Sequence, residues 1–201
     1  MQPIKGFDKV NAMGQGSTQL PVGGYVCVVK DVQYKKYDKC DCMYIAWDVA
    51  EGELKDFFMK KFKADKENNE DAKWKGVYRL YVPKDDGSEQ DEWSKRKLKT
   101  FTNALEDSND GYKWDWDEKK WKNLKFGGVV GEHETFIDGK DSTITFNEVR
   151  FVTTVQKIKD GDYKPADKYV DNKAKEFLAN NNSAADTGFL SADEGPDEIP
   201  F

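Results

Sequence analysis

The run Met43-Tyr44-Ile45-Ala46-Trp47-Asp48-Val49 constrains this chain most, because every odd position carries Met, Ile, Trp or Val. Successive side chains of a strand point to opposite faces, so the run reads as a strand with one face in a core. Trp47 is in phase with Met43, Ile45 and Val49 and belongs to that core. Before it, residues 25–34 are rich in β-branched and aromatic types and predict a first strand. After it, Glu51-Gly52-Glu53 predicts a turn and residues 57–63 a third strand, which residues 74–82 extend or follow with another. Residues 92–107 place Trp93, Leu98, Phe101 and Leu105 at spacings that share a helical face, and Gly111 supplies a stop. Residues 126–136 and 142–155 predict two more strands, joined at Asp138-Gly139-Lys140. A short helix is expected over 166–178.

Charge divides the chain unevenly. The 201 residues carry a formal charge of -6, with 32 Lys and Arg against 38 Asp and Glu. Residues 179–201 hold Asp186, Asp193, Glu194, Asp197 and Glu198 and no Lys or Arg, so almost all of the net charge sits there. The acidic balance therefore leaves room for a basic groove on the domain, since local field governs binding of a polyanion. Residues 1–20 read as a loose lead-in, 21–165 as the folded domain, and 179–201 as a flexible linker and acidic tail. Roughly 23 residues of flexible chain span about 25–30 Å. No apolar run approaches the length of a membrane span, and the first residues lack a signal-peptide core. Three cysteines, an odd count, do not suggest a disulfide framework, and a reducing cytoplasm is the expected setting.

At the chain end, Asp197 and Glu198 run into Ile199-Pro200-Phe201. An acidic tail that serves only solubility has no use for three apolar residues at its tip. An aromatic ring can instead enter a partner's apolar pocket while the carboxylates meet Lys or Arg. This terminus resembles the tip of bacterial single-stranded DNA-binding proteins, although its acidic run is short and interrupted by Gly195-Pro196. The resemblance implies recruitment of exonucleases, helicases and recombination mediators through Asp197, Glu198, Ile199, Pro200 and Phe201. Gly23-Gly24-Tyr25, Val49-Ala50-Glu51-Gly52-Glu53 and the segment 112–117 are similar to the single-stranded DNA-binding proteins of phages and prophages of Gram-positive bacteria. Three strands, a helix, then two strands is also the order of the OB-fold. The resemblance thus implies a mainly β fold: a five-stranded OB-fold-like barrel with one helix between strands three and four, and a flexible acidic tail.

Sequence-independent binding of single strands needs cations to track phosphates and aromatic faces on which bases stack. Residues of both kinds interleave at Lys35 and Tyr37, at Lys60-Lys61-Phe62-Lys63, and at Trp74, Tyr78, Arg79 and Tyr81. These ten are the expected single-stranded DNA contacts, although strand aromatics more often fill cores and lysines more often decorate solvent faces. Trp114 and Trp116 form either a stacking platform or a flap that seals one end of the barrel. The neighbouring Asp115, Asp117 and Glu118 favour the flap, and Trp121 goes with it. No catalytic, cofactor or metal site is expected. His133 is the only histidine, Cys40 and Cys42 lack a second ligand pair, and Asp115, Glu118 and Lys120 echo a metal-dependent nuclease only loosely. A homo-oligomer is compatible with all of this. The alternatives are an adaptor that captures host replication proteins without touching DNA, or a nuclease.

Overall fold

The computed structural model describes residues 19–38 and 40–186. The tip residues Asp197, Glu198, Ile199, Pro200 and Phe201 lie outside the described residues, as does most of the lead-in. The elements are β1 (Gly23–Lys35), β2 (Cys42–Val49), α1 (Phe57–Asn68), β3 (Val77–Tyr81), α2 (Glu89–Ser108), β4 (Lys125–Ile137), β5 (Ser142–Thr153), α3 (Val155–Asp160), β6 (Tyr169–Val170) and α4 (Asn172–Asp186). A short 3₁₀ turn covers Glu118–Trp121.

Five strands form an antiparallel path in the order β3-β2-β1-β4-β5, and β6 adds to β4 in parallel. β1 joins the two halves. Its first part pairs with β4 from Gly23↔Val130 to Val28↔Lys125, and its second part pairs with β2 as far as Lys35↔Cys42. A register shift between Val29 and Asp31 lies where one partner gives way to the other, and such irregularities sharpen the local twist and bend. The alternation in β2 holds as expected: Met43, Ile45, Trp47 and Val49 are buried, Trp47 at 2% exposure. They meet Val29, Leu80, Phe101, Leu105, Trp121, Phe126 and Val130 in one core.

The expectation of a mainly β barrel needs correction. The described residues are mixed α/β, with a six-stranded sheet and four helices, and the sheet is open because β3 and β5 end it without pairing to each other. Helix α2 lies against both end strands and β4. Tyr78 of β3 stacks on Phe101 of α2 at 5.8 Å and 21°. The helix between the third and fourth strands is where the sequence places it.

Residues 57–63 are also not a strand; they open α1. The cause is distant in sequence. Asp48, buried at the end of β2, accepts from the backbone N–H groups of Phe58 (2.9 Å), Met59 (3.0 Å) and Val49 (2.9 Å). A helix's first-turn amides have no partner within the helix, and a carboxylate brought to them satisfies those donors and favours the helix end. The apolar side chains then fall on one flank. Phe58 meets Trp47 edge-on at 4.9 Å, and Phe62 meets Trp74 at 5.8 Å.

The last helix also moves. It begins at Asn172 rather than 166, where Asp171 accepts from the Ala174 amide at 2.7 Å as a cap. It continues to Asp186, so residues 179–186, expected as linker, are helical. Phe177 of α4 packs on Phe136 of β4 at 5.1 Å, tying this helix to the sheet. No helix among the described residues is long and apolar enough to cross a membrane.

Candidate nucleic-acid interface

The same alternation that buries Met43, Ile45 and Trp47 sends Tyr44 to the outer face of β2. Residues directly opposite on paired strands share a face. Gln33 and Arg79 flank Tyr44, and Lys35 and Tyr81 flank Cys42. The outer surface of β1-β2-β3 therefore collects Lys35, Tyr44, Arg79 and Tyr81. The Lys35 Nζ stands 5.2 Å from the Tyr44 ring centroid, and the Arg79 guanidinium carbon 5.3 Å. Cations at such distances are attracted to the ring face. Tyr37, just past β1, shares a hydrogen bond with Tyr44 through their hydroxyls, 2.9 Å apart. That bond holds the Tyr44 hydroxyl above its ordinary pKa, so Tyr44 stays neutral. Cys40 and Cys42, free thiols 3.9 Å apart, lie at the same end of β2. Burial raises the Cys42 thiol pKa.

The surface continues onto α2. Tyr81 lies 6.5 Å from Trp93, whose ring is 46% exposed, and the Lys97 Nζ sits 5.3 Å from that ring. Trp93 was expected on the buried face of the helix. It stands instead at the rim, five residues before the buried Leu98 and so well round the helix from it. Ser88 caps this helix by accepting from the Asp91 amide at 3.2 Å. The Asp91 carboxylate in turn accepts from the amides of Lys84 (2.8 Å) and Asp85 (2.9 Å), which fastens the loop between β3 and α2. The Lys95 ammonium, 2.9 Å away, holds the Asp91 carboxyl below its usual pKa.

Of the ten residues expected to touch DNA, Lys35, Tyr37, Arg79 and Tyr81 are brought together. Tyr78 faces inward, and burial pushes its hydroxyl pKa to about 12. Trp74 is half-buried and donates through Nε1 to the carbonyls of Gly76 (2.9 Å) and Trp47 (3.3 Å), so it braces the chain before β3. Lys60, Lys61, Phe62 and Lys63 ride on α1 rather than on a strand of this face. Phe62 is used against Trp74, and the Lys60 ammonium donates to the Lys55 carbonyl at 2.8 Å. Tyr44, Trp93 and Lys97 are the residues that sequence reasoning missed. Tyr44 was detectable as the aromatic in the outward phase of β2.

In the segment after α2 the Trp114 and Trp116 rings lie 5.7 Å apart but differ in exposure. Trp114 donates its amide to Glu106 at 2.9 Å and packs on Trp121 at 4.9 Å, and buried Trp121 meets Phe101 at 5.0 Å. Both belong to the seal over the core. Trp116 is 78% exposed on a left-handed backbone, φ 69. It lines the rim of an apolar cavity of about 670 Å³ with Tyr34, Met43, Pro83, Leu98 and Trp114. Asp115 is ion-paired with Lys120, which lowers the Asp115 carboxyl pKa and raises that of Lys120. Among the described residues no three of His, Cys, Asp and Glu are grouped so as to hold a metal ion. His133 is largely covered. Its Nδ1 lies 2.8 Å from Glu148 and its ring contacts Phe146 and Tyr169. No protein-family model and no curated protein matches this sequence.

Proposed function

We propose that this protein binds single-stranded DNA without sequence specificity, through the outer face of β1-β2-β3, and recruits replication or repair proteins through Asp197, Glu198, Ile199, Pro200 and Phe201. The observation that carries the reading is the Tyr44 ring, flanked by Lys35 and Arg79 and continued by Tyr37 and Tyr81. A base needs a π-face and its phosphate needs a cation within a few ångströms, and this is the pairing that sequence-tolerant single-strand binders use. Tyr44, Arg79 and Tyr81 are borne on paired strands, so their placement precedes ligand binding.

The fold is consistent with this reading. Five antiparallel strands with a helix inserted between the third and fourth, lying along the unpaired seam, are what a partly open OB-fold-like barrel requires. Its second and third strands are the oligonucleotide-binding strands of that fold, and here they carry Tyr44, Arg79 and Tyr81. The tail reading rests on sequence alone. Its expected setting is the bacterial cytoplasm, with exonuclease, helicase or recombination-mediator partners.

Titration with oligo(dT) tests the DNA half. Tryptophan emission should be quenched, and the affinity should fall as salt rises. No change at low salt would sink the proposal. Deleting residues 199–201 tests the other half: DNA binding should persist while pull-down of a bacterial exonuclease or helicase is lost. Equal pull-down by the truncated protein would refute recruitment through the tip. Tail-dependent pull-down without any oligo(dT) response would identify the protein as an adaptor instead.

A further inference from the structure

Where β3 and β5 fail to pair, the gap beside α2 forms a groove of about 310 Å³ lined by Tyr78, Trp93, Arg96, Lys97, Thr100 and Phe151. Two of its walls are aromatic and open to solvent. Trp93 is 46% exposed and Phe151, on β5, is 50% exposed. Other aromatics are exposed too, Trp116 most of all, but Trp93 and Phe151 are two such rings that line one groove, whereas Trp47, Trp121, Phe101 and Phe126 are buried. The groove's ionisable lining is otherwise basic: Arg96 and Lys97 lie one after the other on α2, with no carboxylate among the lining residues. The next groove along α2 differs, since it carries Asp86, Glu89 and Asp91 against the single cation Lys84, with Tyr81 at its edge. Trp93 is the ridge shared by both.

We infer that this seam is a second single-strand subsite, in which Phe151 and Trp93 accept a base and Arg96 and Lys97 accept the adjoining phosphates. It rests on the DNA-binding reading above and extends it around the edge of the sheet. Tyr81 and Trp93, 6.5 Å apart, connect the two, so one strand crossing Tyr44 and Arg79 runs on past Trp93 to Phe151. Sites of single-strand binders span about 4–16 nucleotides per fold of this size, so a path longer than the three-strand face is within range. A second property of the groove agrees. Burial, and the nearby Arg150, lower the Lys97 ammonium pKa below its ordinary value. The charged form of Lys97 is thus disfavoured in the empty groove, and a phosphate bound beside it would favour that form. Arg150 is itself committed to Glu148 at 2.6 Å and to the Tyr169 ring at 4.2 Å, which leaves Arg96 and Lys97 to meet the ligand.

The test compares wild type with Lys97→Gln, Arg96→Gln and Phe151→Ala by oligo(dT) titration over a salt series. Each lost phosphate contact on a single strand lowers the slope of log affinity against log salt by about 0.7. Lys97→Gln and Arg96→Gln should each show that drop, and Phe151→Ala should shorten the occluded site without changing the slope. Specific NMR labelling of lysine Nζ gives an independent readout: the Lys97 pKa should rise when oligo(dT) is added. Variants that keep the wild-type slope and site size, with an unmoved Lys97 titration, overturn the subsite while leaving the Tyr44 face standing. Wild-type protein that ignores oligo(dT) overturns both.

Discussion

Asp48 shows how one residue can decide a segment's structure from ten positions away. Its side chain is buried and takes three backbone N–H donors, two of them in the first turn of α1. Asp48→Ala would leave those donors without a partner, and the protein should lose about 2–3 kcal/mol of stability in urea denaturation. An unchanged midpoint would rule out the capping role. Gly76 is constrained differently. A Cβ there would stand 2.4 Å from the Trp47 carbonyl oxygen and 2.6 Å from the Phe58 ring. Gly76→Ala must push α1 off β2, at a cost of about 1–3 kcal/mol. At the binding face, Tyr44→Ala should weaken oligo(dT) by about 1–3 kcal/mol, the range for loss of one stacking partner. Phe62→Ala should leave the affinity at the wild-type value, because Phe62 is occupied with Trp74. Equal losses from both variants would return α1 to the DNA surface. The outward phase of β2 was readable, and with it Tyr44. Lys97 was not, since on a helix a lysine is usually solvated and nothing local announces that β5 lies opposite.

Among the elements, the period-2 strand β2 and the helix α2 were legible because each carries its own repeat over enough residues to be unambiguous. Helix α1 was not. Phe57-Phe58-Met59 with Phe62 is as apolar and aromatic as a strand, and the signal that selects a helix is Asp48, in a different element. Short apolar runs are inherently ambiguous in this way. The segment after α2 was half legible. Its two tryptophans lie two apart and their rings do stay within 5.7 Å, but at Trp116 the backbone is left-handed and the ring is exposed. Trp114→Ala should therefore destabilise the protein by about 2–3 kcal/mol, since it strips the cover from Trp121. Trp116→Ala should change stability by less than about 0.5 kcal/mol, as for an ordinary surface substitution. Thermal melts of the two variants measure the difference, and equal losses would place Trp116 within the seal.

On the scale of the whole molecule, several carboxylates that tie separate parts together titrate below their ordinary values. Glu51, between β2 and α1, holds Lys125 of β4 at 2.7 Å and Lys159 of α3 at 3.0 Å, and those cations lower its pKa from 4.5. Glu134 is lowered by Lys168, and Asp171 chiefly by the Thr135 hydroxyl. A group whose folded pKa is depressed binds fewer protons folded than unfolded. Its contribution is complete above the unfolded value and disappears as pH falls through the folded one. The melting temperature should accordingly decline below about pH 4.5, and Glu51→Gln should make that decline shallower. A melting temperature that holds level from pH 7 to pH 3 would contradict these ties. The placement of α2 before the last two long strands could be anticipated from sequence, but neither α1 in place of a strand nor the failure of β3 and β5 to pair could. That failure depends on how far α2 intrudes between them.

The division of β1 between two partners also sets the order in which the molecule can assemble. Its second half meets β2 across a short connection, whereas its first half must wait for Lys125–Ile137, from the far side of the chain. Closing so long a loop costs entropy before any contact is gained, and topologies dominated by such pairings fold in milliseconds to seconds rather than microseconds. During synthesis, β1 through β3 leave the ribosome with one edge unmatched, and they stay so until β4 has followed.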